Sequence, residues 1–226
     1  MTTATPAVSN TSELLARNQL KMNLVSYLHN LKSSCGTLSR EQVVVILGQW
    51  FHPLHYFPTF LSRLISVAPT LETKTLVSRI LWQELGEGEP QSAHEKIYIE
   101  TIQHNGFVET QVTGAPPLLA TQELVDGYQS ASGDGLSGLG FLYGTEVVDL
   151  EMVATIGELM RLCTGKHDLP WVNIHVEQEP HHVDSSTQSL ELSLTEFEQK
   201  KILENAEKMW TLWIEFFKSI EKEILV

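Results

Sequence analysis

Cysteine is scarce: Cys35 and Cys163 are the only two, and neither stands in a CxxC pair. That excludes a disulfide framework, and neither thiol has a neighbouring histidine or acid in sequence to mark it as a nucleophile. Basic residues are also few, 15 against 28 acidic ones, for a formal charge of -13. A surface of that sign repels phosphate backbones and anionic lipid, which argues against nucleic acid and membrane partners. No run is long enough to span a membrane, and the opening MTTATPAVSN has neither the basic start nor the apolar stretch of a signal peptide. The expectation is a soluble, cytoplasmic protein with reduced thiols. Phosphate-binding loops, a GxGxxG after a strand and a GxSxG elbow are absent as well, which removes the common nucleotide and serine-hydrolase signatures.

What remains is helical pattern. The chain has 226 residues, 42% of them hydrophobic, enough for a substantial core. No convincing strand occurs, because β-branched runs such as VVVIL at 43–47 lie inside helical periodicity. We expect an all-α architecture of about seven or eight helices: a flexible N-terminus over 1–10, then a single helical domain over 11–226. The first helix is predicted from Ser12 to Lys32. The second opens on a Ser39/Gln42 capping box, is rich in aromatics, and is expected to be bent or interrupted at Pro53 and Pro58. A third covers Leu71 to Leu85, and Gly86, Gly88 and Pro90 stop it. Ser92 and Glu95 are the expected cap of a fourth. A short helix follows at Leu119 to Gln129, then a long one to Cys163 closed by Gly165, then one starting at Pro170. After the polar stretch VDSSTQS the last helix is expected at Ser193 with Glu196 as its capping partner. It carries Trp210, Trp213, Phe216 and Phe217 on a face suited to the core or to another subunit.

Three places put charge where periodicity calls for a hydrophobe. Glu84 continues the Val77, Ile80, Leu81 stripe, and His94 follows across one tight connection. Glu146 lies one turn beyond Leu142 on the inner side of the long helix. In WVNIHVEQEPHH, His175, Glu179 and His182 stand at i, i+4 and i+7, which is one helical face. A buried carboxylate without a partner costs several kcal/mol, so acids on apolar stripes demand an explanation. Three carboxylates and three imidazoles form the mixed oxygen and nitrogen set that suits non-haem iron or manganese, and are too many for one structural zinc. Trp50, His55 and Tyr143 are the candidate substrate-pocket residues, and His52, like His55, is read as pocket lining or packing rather than as a ligand. His29 and His181 are left out of the site.

The segments LWQELGEGEPQSAH, LYGTE and HVEQEPHH, in this order, resemble the three ligand-bearing motifs of the haem-oxygenase-like di-iron oxidases. That group includes the chlamydial protein associating with death domains and shares its fold with pyrroloquinoline-quinone synthase and thiaminase II. The resemblance spans most of positions 40–185 and implies a haem-oxygenase-like bundle. It implies Glu84, His94, Glu146, His175, Glu179 and His182 as ligands of two iron ions, with manganese possible and Glu87 as the alternative first ligand. The family pattern has Asp where Glu179 stands, and Pro180 intervenes before His182. The implied activity is that of an oxidase or oxygenase using O2 on a small organic substrate, in a homodimer. A metal-free enzyme or small-molecule binder of the same fold is the alternative. A helical interaction protein using the aromatic face of the last helix is the third reading.

Overall fold

The computed structural model describes residues 11–34, 38–190 and 194–224, and among these no strand occurs. The helices are α1 (Thr11–Ala16), α2 (Gln19–Ser34), α3 (Arg40–Val67), α4 (Leu71–Glu84), α5 (His94–His104), α6 (Glu109–Thr113), α7 (Leu119–Ala131), α8 (Gly135–Thr164), α9 (Pro170–Gln188) and α10 (Glu196–Ile224), with a 3₁₀ turn at Pro90–Ser92. Eight have eleven residues or more, while α1 and α6 have only six and five. None of the described helices is long and apolar enough to cross a membrane.

Helix α8 is the central post, packed by α2, α3, α7, α9 and α10. Its residues are apolar nearly all round, and a helix of that kind must be covered on every side. Leu139, Phe141, Leu142, Met152, Val153, Ile156 and Met160 are all buried. Leu150, by contrast, is exposed at 37%. The Asp134 side chain accepts from Ser137 N at its start, and Gly165 ends it at φ 69°. Two glycines set its seam with α10. A Cβ on Gly140 would stand 2.5 Å from Ile202 O, and one on Gly144 would stand 3.0 Å from Met209 Cβ. The backbones therefore approach closely, Trp210 Nε1 donates to Gly144 O at 2.8 Å, and the rotation of α8 is locked. That rotation turns Glu146 inward, toward α9.

Several local expectations need correction. The first predicted helix is two, because Asn18 accepts from Leu20 N at 2.9 Å and caps a fresh start at α2. Pro53 and Pro58 do not interrupt α3, which runs 28 residues through both. Each proline removes one backbone donor, while Trp50, Phe60, Leu61 and Leu64 stay buried on its inner face and hold it together. Helix α5 is capped at Ala93 without a side-chain bond, and Ser92 belongs to the 3₁₀ turn instead. The polar stretch after His182 stays helical to Gln188. Ser193, like Cys35 and residues 1–10, lies outside the described residues. The observed box at the last helix pairs Thr195 with Glu198: Glu198 N donates to Thr195 Oγ1 at 3.3 Å, and Thr195 N to Glu198 Oε2 at 2.8 Å. The Ser39/Gln42 box forms as expected.

The aromatic face of α10 is spent inside its own chain. Trp210, Trp213, Phe216 and Phe217 are buried, and Trp213 stacks on Trp50 with ring centroids 5.4 Å apart. Those four side chains are therefore not open as the partner surface that the interaction-protein reading placed on them.

Candidate metal centre

Helix α4 delivers Glu84 at its last turn, directly below buried Val77 and Ile80. The chain then reverses through Gly86, Glu87 and Gly88, all at positive φ (83°, 57° and 95°). A Cβ on Gly86 would lie 2.3 Å from Glu89 O, so only glycine makes this turn. The reversal brings His94, the first residue of α5, back over Glu84, with Nδ1 3.2 Å from Glu84 Oε2. Glu87, the alternative ligand, is exposed in the turn and takes no part.

Helices α8 and α9 supply the rest. Pro180 lies within α9 without ending it, so His175, Glu179 and His182 all face inward, at 5%, 3% and 1% exposure. Around His182 Nδ1 stand Glu84 Oε1 at 3.8 Å, Glu146 Oε2 at 3.5 Å and Glu179 Oε2 at 3.7 Å. Glu146, Glu179 and His182 each offer one donor atom, all within 4.8 Å of one another. The His94 ring lies 4.7 Å from that of His175 and 6.1 Å from that of His182, centroid to centroid. The six residues chosen from sequence thus share one interior location, and Glu84 turns one oxygen toward His182 and the other toward His94.

Neighbouring groups set the imidazole tautomers. His175 Nδ1 donates to Trp171 O at 2.7 Å, and His94 Nε2 donates to Gln178 Oε1 at 2.9 Å. A carbonyl oxygen only accepts, so the bonded nitrogen carries a proton; His175 Nε2 then presents its lone pair to the cluster, while His94 Nδ1 faces Glu84 Oε2.

The electrostatics are those of a crowded, dry pocket. Burial would raise the Glu84 carboxyl, but the charge of His94, with His182 and His175 behind it, outweighs burial and holds it at about 2. Burial works against protonated His94, yet Glu84 and the Gln178 hydrogen bond lift it to about 9. His175 falls to about 3, through burial first and the charge of His94 second. Burial and then the repulsion of Asp149 and Glu146 push Glu179 well up. Asp149 rises to about 7 through burial, Glu146 and Glu84.

Seven buried side-chain atoms among the described residues have no hydrogen-bond partner, and four of them belong to the cluster: His94 Nδ1, Glu146 Oε1, Glu179 Oε1 and His182 Nε2. Unsatisfied atoms at this density are rare in folded interiors, and carboxylates this close cannot all ionise without a cation. The donor set fits iron, since imidazole and carboxylate ligands both suit it.

Above the cluster lies a narrow cavity of about 30 Å³ walled by Trp50, Leu54, Phe57, Tyr128 and Trp213. Trp50 lines it as expected. His55 does not: its side chain is 64% exposed and bonded to Glu95 at 2.9 Å. Nor does Tyr143, whose hydroxyl reaches Ser12 O of α1 at 3.5 Å. His52 Nε2 donates to Ala115 O, His29 pairs with Glu151 at the surface, and His181 is exposed.

Asp149 and Gln178 are functional candidates that sequence reasoning missed. Asp149 lines the cavity with Oδ2 3.8 Å from His175 Nε2. Its signal was present, since it stands one turn past Glu146 on the same helix. Gln178 sits beside Glu179 and gave no signal of its own.

A family model described as iron-containing redox enzyme matches residues 45–214, a span that holds every residue of this cluster. The chain belongs to that family. No curated protein matches its sequence. Among solved structures, a CADD-like protein of unknown function from Nostoc punctiforme superposes with a TM-score of 0.75 at 14% identity, over 96% of each chain. A domain of unknown function with a heme oxygenase-like fold, from Shewanella denitrificans, gives 0.74 at 14% identity over 97% of this chain and 94% of its own. A TenA homolog from Pseudomonas syringae gives 0.72 at 11% identity over 98% and 99%. At these identities the likeness is one of fold, and the haem-oxygenase-like bundle implied by the sequence is the fold observed.

Proposed function

We propose that this family member is a non-haem di-iron oxidase or oxygenase that uses O2 on a small organic substrate. One observation carries the reading: six buried carboxylate and imidazole residues from α4, α5, α8 and α9 gather around one interior location, with donor atoms of Glu146, Glu179 and His182 within 4.8 Å of one another and four atoms of the six residues unsatisfied. Glu84, His94, Glu146, His175, Glu179 and His182 are the residues that would hold the ions. Iron bound there supplies the electrons that reduce O2, chemistry that side chains alone do not carry.

The chain's own part is preparation and exclusion. Gln178 Oε1 and Trp171 O hold protons on the outer nitrogens of His94 and His175, keeping the inner ones free as ligands. The wall formed by Trp50, Leu54, Phe57 and Trp213 keeps bulk water from the cluster. A space of about 30 Å³ holds one or two waters or an O2 molecule, since one water needs roughly 10–15 Å³, so an organic substrate enters by displacing part of the wall. The apolar lining favours a substrate with a hydrocarbon or aromatic portion beside the cluster.

Anaerobic loading with Fe(II) tests this. About two irons per chain are expected, as this donor set suits, with O2 uptake in proportion to iron and loss of both in Glu146→Ala. Protein that takes up no iron, or that takes it up and leaves O2 untouched, overturns the reading.

A further inference from the structure

We propose that Asp149 is a metal ligand, the fourth carboxylate of the centre, which shares an ion with His175. The proposal rests on the two-ion reading above.

The first support is position. Asp149 follows Glu146 by three residues on α8, so both carboxylates project from one face of a helix whose rotation the Gly140 and Gly144 seam with α10 has locked. Asp149 lines the cavity, and its Oδ2 stands 3.8 Å from His175 Nε2. His175 Nδ1 is spent on Trp171 O, so Nε2 carries a lone pair rather than a proton. A lone pair and a carboxylate oxygen repel, and nothing in their contact is a hydrogen bond. Atoms bound to one ion at about 2.0–2.2 Å lie up to about 4.4 Å apart, so 3.8 Å is a separation that an ion between them explains.

The second support is distribution. Glu146, Glu179 and His182 converge as one donor group, tight enough for one ion. Beyond it, the six residues read from sequence leave His94, His175 and the second oxygen of Glu84 for another ion. Asp149 adds to that side a second carboxylate beside Glu84.

The third is charge. Two divalent cations carry +4, and Glu84, Glu146 and Glu179 carry only -3. The excess would be buried among Trp50, Phe57, Trp213 and their neighbours, where uncompensated charge costs several kcal/mol. Counting Asp149 brings the centre to zero.

The test uses the full-length chain under anaerobic conditions, with Mn(II) as the probe, read by equilibrium dialysis and by the electron paramagnetic resonance of the bound ions. Wild type is expected to bind about two ions, as its donor set suits, with the spectrum of a coupled pair. Asp149→Asn keeps the shape and removes the charge; it is expected to retain one ion, to weaken the other at least tenfold, and to show an isolated-ion spectrum. Asp149→Glu restores the charge and is expected to recover the second ion, a rescue that a purely structural role would not produce. Two ions bound by Asp149→Asn with unchanged affinity and a coupled spectrum overturn the role of Asp149 and leave the two-ion reading standing. No ion bound by wild type overturns both. Should Asp149→Asn not fold, Asp149→Ala decides: loss of one of two ions with an isolated-ion spectrum supports the proposal, and two ions bound with unchanged affinity and a coupled spectrum overturn it.

Discussion

Glu179 shows how stability and function pull against each other in a single side chain. Its carboxyl is buried beside Glu146 and Asp149, and one of its oxygens has no partner. In metal-free protein this is a cost, and with an ion present it becomes a ligand. Glu179→Gln is therefore expected to act with opposite signs: to raise the stability of metal-free protein at neutral pH by about 1 kcal/mol or more, and to abolish most of the stabilisation that Mn(II) confers. Paired urea denaturations with and without metal check both arms, and a loss of stability in the metal-free state would contradict the account. Gln178 acts one step removed, through the proton it holds on His94. Gln178→Leu is expected to lower metal affinity about 10- to 100-fold with little change in helix content, measured by metal titration alongside circular dichroism. At this scale the sequence was legible wherever a charge interrupted an apolar stripe, as at Glu84 and Glu146. Gln178 was not legible, because a polar residue on a polar stretch of helix says nothing until its neighbour across the interface is known.

Among the elements, the turn between α4 and α5 carries the most weight for its size. It fixes the distance from Glu84 to His94, and it does so with three consecutive positive-φ residues. Gly86→Ala places a methyl 2.3 Å from Glu89 O on top of the conformational penalty. We expect it to cost about 2 kcal/mol or more and to weaken metal binding, because the turn can relax only by moving Glu84 or His94. Gly88→Ala meets nothing within 4 Å and is expected to cost only about 1 kcal/mol with metal binding intact. Equal losses in the two variants, by thermal melting and Mn(II) titration, would show that backbone strain alone matters. The prolines teach the reverse lesson. Pro53, Pro58 and Pro180 all lie inside helices that continue through them, because tertiary burial on either side outweighs one missing hydrogen bond each.

For the whole molecule, the centre lies where four segments meet, so an ion there links α4, α5, α8 and α9 across the bundle. Anything that binds the folded state alone stabilises it, by about 2.7 kcal/mol at a concentration a hundred times Kd. Titrating Fe(II) or Mn(II) into metal-free protein is expected to raise Tm by several degrees, with chelator reversing the rise. A Tm indifferent to metal would mean that the cluster does not bind it in the folded chain.

The sequence by itself determined that the protein is helical, that Glu84 and Glu146 are out of place on apolar stripes, and that His175, Glu179 and His182 share one helical face. These are properties of local periodicity, and periodicity is written along the chain. Only the tertiary structure decided that Asp149 lines the same cavity, that His55 and Tyr143 do not, and that the aromatic face of α10 is covered by its own chain. Each of those depends on the rotation of one helix against another. That rotation is set by close approaches, such as those at Gly140 and Gly144, between residues some sixty positions apart, and no local pattern records it.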